Sequence, residues 1–555
     1  MRIISRNALR WIVVTALVAA FLFVHAAGAF AQGGEPRYFA IRGAKIVPVS
    51  GPPIDSGTVV IANGLIAAVG KDVPIPPEAW VIEGKGLTVY PGFIDALTDV
   101  GLATEPTAPA GQPGGARLPA PISRGPEDRP GTTPWRSAAD ELKPDDKRIE
   151  TWRNGGFTTA IVAPKGGIFP GQASVVDLAG ERPGDLVVKP GVALPLSLQP
   201  VGNFTSFPGS LMGVLGHIHQ VWLDTAWYTQ AFSIYDRNPR GLERPAYDRT
   251  EVTLADALRR NTLVLIPANN DTQLLRGLAL ADRWKVRSAI YGAQQSYAVA
   301  DALAARKLPV IINLKWPEKN KDADPDAEEP LRLLEFRDRA PSSPAALSKV
   351  GVKFAFSSGG LATSKDALKA AKKSIDAGLS AGDALRALTL SAAEIYGVAD
   401  RLGSIESGKI ANLVVADGDL FNEKTKVKFV FVDGERFEVR EPSRPTEPPK
   451  GNLTGQWKLS YTTPEGPEEV TADLTMAPDG TLSGTFTRHG VSVSVSSGWV
   501  SADKFSFMVP LTFGGQTIDV TFSGTFEGNS MKGTASGGGA TVDFTGSKPG
   551  RGGAQ

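Results

Sequence analysis

The hydrophobic pattern changes rhythm several times along the chain. Residues 38–90 hold the runs YFAIRGAKIVPVSG, GTVVIANGLIAAVG and WVIEGKGLTVYPG, broken by Gly and by Asn63-Gly64. Period-two alternation between such breaks predicts strands, and Asn-Gly predicts a hairpin turn. Residues 103–146 turn to Pro, Gly, Ala and charge, a composition that buries no core and predicts a long surface loop. From 147 to about 398, short apolar runs (FTTAIVAP, GVALPLSL, NTLVLIPA, RSAIYG, LPVIINL, VKFAFSS) alternate with helical patterns. The helical ones are DTQLLRGLALADRW, SYAVADALAARK, SKDALKAAKKSIDAG and SAGDALRALTLSAAEIYG, apolar at three- and four-residue spacing. Strand-helix alternation predicts parallel βα units, with any chemistry at the strand ends. Strand patterns return at 401–439. A Pro-rich linker, REPSRPTEPPKG, leads to eight short alternating strands at 452–547, which predict an all-β barrel or sandwich.

The first residues change the picture of where the chain works. Arg2, Arg6 and Arg10 precede an apolar stretch, Trp11 to Val24, and small residues stand at Ala29 and Ala31. This is the pattern of a signal peptide, 1–31, cut after Ala31; it predicts a secreted, periplasmic protein with no membrane attachment after removal. The formal net charge of +1 offers no field for nucleic acid, and the absence of cysteine excludes disulfides and thiolate metal sites.

YPGFIDALTDVGL, residues 90–102, reads as a short buried strand entered through a Pro-Gly turn and left through Asp95 and Asp99. Together with LSAGDALRALTLSAAEIYGVADRLGSIESGKIANLVVADGDLF and TKVKFVFVDGERF, it resembles the amidohydrolase superfamily in its imidazolonepropionase-like branch. The resemblance covers roughly residues 38–440. It implies an α/β architecture: a (β/α)8 TIM-like barrel over 91–399, containing the 103–146 loop. A small composite β-sandwich would be built from 38–90 and 400–440. The 441–451 linker and the 452–547 β domain lie outside it.

The family's chemistry uses a metal to polarise a carbonyl and activate water. Carried over by resemblance, its first-strand histidine pair falls on Leu97 and Asp99. A bridging lysine falls on Pro195, the fifth- and sixth-strand histidines on Pro267 and Gly292, and the eighth-strand aspartate on Gly359. Of these only Asp99 can bind a metal, so the family zinc is expected to be absent, and no metal ligand or catalytic residue is assigned. Restoring ligands at Leu97, Asp99, Pro267, Gly292 and Gly359 would then be expected to regain weak zinc affinity.

Four histidines exist. His25 leaves with the signal, and His489 follows a strand of the last domain. His217 and His219 form an H-x-H inside a helical pattern, where residues two apart point about 200° apart; they could share a metal only on a strand or loop. The aromatics around them, Trp222, Trp227, Tyr228 and Phe232, recur at helical spacing and read as core. Asp95, Asp99 and Asp271 are candidate carboxylates at the barrel mouth; oxygen donors suit calcium or magnesium better than zinc. Asp95 alternatively braces a strand end, and Asp99 alternatively pairs with a basic residue. KGGIFPGQASVVDLAG resembles a glycine-rich loop over the mouth, where Gly171 and Gln172 would meet a ligand through backbone groups; a plain β-turn is the other reading.

By resemblance the chain would hydrolyse C–N bonds, in cyclic amides or small peptide-like substrates. By its residues it would be catalytically degenerate. The alternatives are a non-catalytic exported binding or scaffold protein, and a metal-free hydrolase using Asp95 and Asp99. Expected partners are a small-molecule ligand, a second copy of the chain, or an active paralogue.

Overall fold

The computed structural model describes residues 38–103, 129–201, 207–319, 328–361, 363–439, 447–463, 466–488, 490–513, 516–537 and 540–548. The signal segment with His25, most of the Pro/Gly-rich stretch, most of the linker, and His489 lie outside the described residues.

Five strands before the barrel (Tyr38–Ile46, Ile54–Ala62, Leu65–Gly70, Trp80–Glu83, Thr88–Pro91) join three after it (Leu413–Ala416, Val427–Val432, Glu435–Glu438) in one eight-stranded sheet. Thr88–Pro91 pairs antiparallel with Leu413–Ala416, so the two flanking segments meet in its middle. Ile41, Ile61, Val89, Leu413 and Phe431 are fully buried in its core. The turn at Asn63-Gly64 has φ 49° and 82°, the left-handed pair that a two-residue hairpin needs.

The barrel strands are β1 (Phe93–Thr98), β2 (Phe157–Val162), β3 (Ala173–Asp177), β4 (Val187–Pro195), β5 (Leu263–Ala268), β6 (Ser288–Gly292), β7 (Val310–Asn313) and β8 (Phe354–Ser357). They lie in sequence order. Leu263 and Leu265 point into the barrel, while Val264 and Ile266 pack outward under the helices. Burial on both faces is why such strands read as continuous apolar runs.

The structure departs from the sequence reading in three places. β3 runs antiparallel to both neighbours, with Thr159 opposite Asp177 and Ala173 opposite Ala193. Ser-Val-Val was hidden inside a glycine-rich stretch, so a β2–β3 hairpin stands where a plain loop was expected. The second departure is the end of the 103–146 stretch. Residues 129–142 are laid down on the 165–172 turn: Ile168 N and Phe169 N donate to Gly131 O at 2.6 and 3.0 Å, and Gln172 N donates to Arg136 O at 2.8 Å. Thr132, Thr133, Ala138 and Leu142 are buried there. Third, the β4–β5 crossover holds a second helix, α2 (Arg249–Arg259), after α1 (Leu211–Arg237), the helix expected around His217 and His219. α3 (Asp271–Trp284) follows β5.

Residues 440–555 form a separate compact unit. Its eight strands, from Gly455–Thr463 to Ala540–Ser547, form a closed antiparallel barrel; Leu459 of the first pairs with Gly546 of the last. Trp457, Phe486, Phe505, Phe507 and Phe522 fill its interior, which suits the narrow bore of eight strands. Each unit has its own core, so cleavage between Val439 and Glu447 should release two fragments that both melt cooperatively. Loss of ordered structure from the 447–548 fragment, measured by calorimetry, would refute independent folding.

Candidate functional site

The place to examine is the rim of the barrel at the carboxyl ends of its strands. Asp95 lies in β1 and is 2% exposed. Its Oδ1 accepts from Ser358 N at 2.9 Å and, more weakly, from Leu97 N at 3.4 Å. Ser358 follows β8, so the carboxylate ties the first strand to the last. Oδ2 is buried and has no hydrogen-bond partner among the described residues. Burial pushes this carboxyl up to about 6, against the opposing hydrogen bonds from Ser358. Asp95→Ala should therefore open the β1–β8 seam and cost about 1–3 kcal/mol. Asp95→Asn, which keeps an oxygen for Ser358 N, should cost far less. Equal melting temperatures for the two variants would rule out the bracing role.

Asp99 follows β1 and is engaged by two cations. Arg148 Nη1 lies 3.2 Å from Oδ1, and Lys165 Nζ pairs with Oδ2. Arg148 also bonds the carbonyls of Asp99 and Leu102, at 3.1 and 2.8 Å. Asp271 sits at the start of α3, is exposed, and accepts from Thr272 N at 2.6 Å; its own amide donates to Gln295 Oε1 at 3.1 Å. The three carboxylates thus have separate partners. Among the described residues no three His, Cys, Asp or Glu side chains come close enough to share a metal ion.

Gly171 has φ 141°, and a Cβ there would lie 2.8 Å from Arg136 O. Its close approach is to the 129–142 segment. Gln172 Nε2 donates to Pro134 O of the same segment at 3.2 Å.

The remaining rim positions are occupied in a specific way. Leu97 packs against the apolar interior. Pro267, the penultimate residue of β5, has no donor side chain. A Cβ on Gly292 would fall 2.2 Å from Asn269 Oδ1, and one on Gly359 would fall 1.8 Å from Asn313 Oδ1. Those asparagines fill the space that side chains at 292 and 359 would enter. Tyr291 reaches across to donate to Leu196 O at 2.7 Å, and burial pushes its hydroxyl up to about 12. A zinc ion needs three or four donors converging at about 2.0–2.3 Å. The residues present do not fit one.

His217 and His219 both lie on α1. His217 Nε2 meets Thr132 Oγ1 at 2.8 Å, and burial holds its imidazole below its usual range. His219 Nε2 meets Arg283 at 3.1 Å. The sequence did not suggest the cluster beside them. Arg129 bridges Asp248 and Glu251, each at 2.9 Å, and Thr225 donates to Glu251 Oε2 at 2.6 Å. This cluster pins the 129–142 segment to α1 and α2. Its members are scattered over more than a hundred residues, so no local motif could have signalled it. The aromatics of α1 divide: Trp222 and Tyr228 are buried, whereas Trp227 is 67% exposed.

Comparison with known proteins bears on the same region. The amidohydrolase family model matches residues 253–437, from α2 through β8 to the closing strands. That stretch of the chain is similar to the amidohydrolase family. An amidohydrolase from Thermotoga maritima MSB8 superposes with a TM-score of 0.61 at 24% identity, over 72% of this chain and 100% of that one. A prolidase complexed with N-methylphosphonate-L-proline aligns with a TM-score of 0.44 at 19% identity, over 73% of this chain and 100% of that one. No curated protein matches the sequence.

Proposed function

We propose that this chain is an exported amidohydrolase-family protein that does not hydrolyse through a metal centre and acts by binding. The observation that carries this reading is the occupation of the rim. Asp99 is committed to Arg148 and Lys165, and Asn269 and Asn313 stand where side chains at 292 and 359 would have to go. Asp95 serves the barrel seam through Ser358 N. Export rests on the 1–31 segment, and the family match is what favours the second reading, hydrolysis of C–N bonds.

The test loads purified mature protein with zinc, dialyses it, and measures metal content beside hydrolysis of cyclic amides and Xaa-Pro dipeptides. The expected result is substoichiometric zinc and no turnover above buffer. Near-unit zinc that survives dialysis, or turnover abolished by Asp95→Asn, would overturn the proposal.

A further inference from the structure

We propose that the groove between α1, α2 and the 238–248 connection binds a small carboxylate carried on an aromatic body. α1 has 27 residues, a length of about 40 Å at 1.5 Å per residue. Its last buried residue is Tyr228. The turns beyond it, with the connection and α2, line an open groove of about 820 Å³. Small-molecule sites run from about 300 to 1,000 Å³.

The lining has two parts. Tyr228, Phe232 and Tyr247 form an aromatic wall. The rings of Tyr228 and Phe232 lie 4.6 Å apart, and Tyr247 is 76% exposed, leaving a flat apolar face in water. Arg237, Arg244 and Asp236 supply the charges. Arg237 Nε donates to Ser233 O at 3.0 Å, which anchors the guanidinium through one nitrogen. Arg244 and Asp236 make no ion pair with another described residue. The nearby acids are engaged elsewhere: Asp248 and Glu251 by Arg129, and Asp224 by Gln220 at 2.7 Å. The groove lining therefore holds two guanidiniums and one carboxylate. A planar carboxylate matches a guanidinium fork, and an aromatic body would cover the exposed rings. The inference is independent of what the barrel rim does.

Titration calorimetry on the full mature chain tests it with phenylacetate, Gly-Phe and phenylacetamide. The first two share the chemistry and separate a free acid from a peptide carboxyl terminus. At least one acid should bind with a Kd below about 1 mM. Phenylacetamide should bind at least ~10-fold more weakly, and Arg244→Gln should weaken the acid by a similar factor. Arg244 makes no hydrogen bond or ion pair among the described residues, so this variant should melt like the parent; Phe232→Ala is the second variant and should weaken acid and amide alike. Neither acid binding at about 10 mM, equal affinity for acid and amide, or an unchanged Kd in Arg244→Gln would overturn the proposal.

Discussion

Replacing Gly359 by aspartate should lower stability by about 2–4 kcal/mol and bring no zinc with it. The residue stands at φ 60°, a region that costs an L side chain about 1–2 kcal/mol. Its Cβ would also overlap Asn313 Oδ1 at 1.8 Å. Asn313 cannot step aside freely, because that oxygen accepts from Lys315 N at 2.7 Å and holds the chain leaving β7. Gly292→His meets the same obstacle, with φ 98° and Asn269 Oδ1 at 2.2 Å. The expectation that five restored ligands regain zinc affinity is therefore revised: the rim is refilled, and ligand identity is not its only deficit. Asn313→Ala should recover part of the loss in Gly359→Asp. The check is chemical denaturation with zinc analysis of the same samples. A Gly359→Asp variant as stable as the parent and carrying stoichiometric zinc would show that the rim is open.

Asn412→Ala should cost about 2–4 kcal/mol, because it strands several buried groups at once. Asn412 Nδ2 donates to Asp177 Oδ1 at 2.7 Å and to Thr159 Oγ1 at 3.0 Å. Its Oδ1 accepts from Asp433 N at 2.7 Å, and its carbonyl accepts from Gly92 N at 2.8 Å. One side chain thus joins β2, β3 and the composite sheet. Asp177 is 4% exposed, and burial pushes its carboxyl up to about 7 against the bonds from Thr159 and Asn412. A raised acid binds its proton more tightly folded than unfolded. Its contribution is full below the unfolded value of 3.8 and is lost as pH climbs to about 7. Asp95 adds the same sign between 3.8 and about 6. Stability should fall across this window, and Asp177→Asn should flatten the fall and melt higher than the parent at pH 8. A parallel pH profile for Asp177→Asn, or an Asn412→Ala variant that melts like the parent, would show that the hub carries little.

The family signature around residues 380–439 was legible because it is local. Helix caps, the Gly397 stop at φ 67° and the closing strands are set by neighbours in sequence. Asp95 as a strand brace was one of the readings its sequence offered, since a carboxylate within a short buried strand must find backbone donors nearby. Asp99 left two readings open, and only the approach of Arg148, 49 residues away, selected between them. Asn269 and Asn313 carried no signal at all: an asparagine at a strand end usually marks a turn, and its role here comes from the glycine it faces.

Alternation and turn chemistry act within a few residues, so all eight C-terminal strands and most barrel strands could be read from the chain alone. That Leu97, Pro267, Gly292 and Gly359 offer a metal no donor could be read the same way, because an alkyl side chain, a proline or a glycine has none wherever it is placed. Tertiary structure decided that the C-terminal strands close into a barrel, that β3 runs backwards, and that residues 129–142 fold onto the 165–172 turn. Each of these depends on which segments meet across long stretches of chain, and burial and hydrogen bonding reward that meeting without leaving a periodic trace in the sequence.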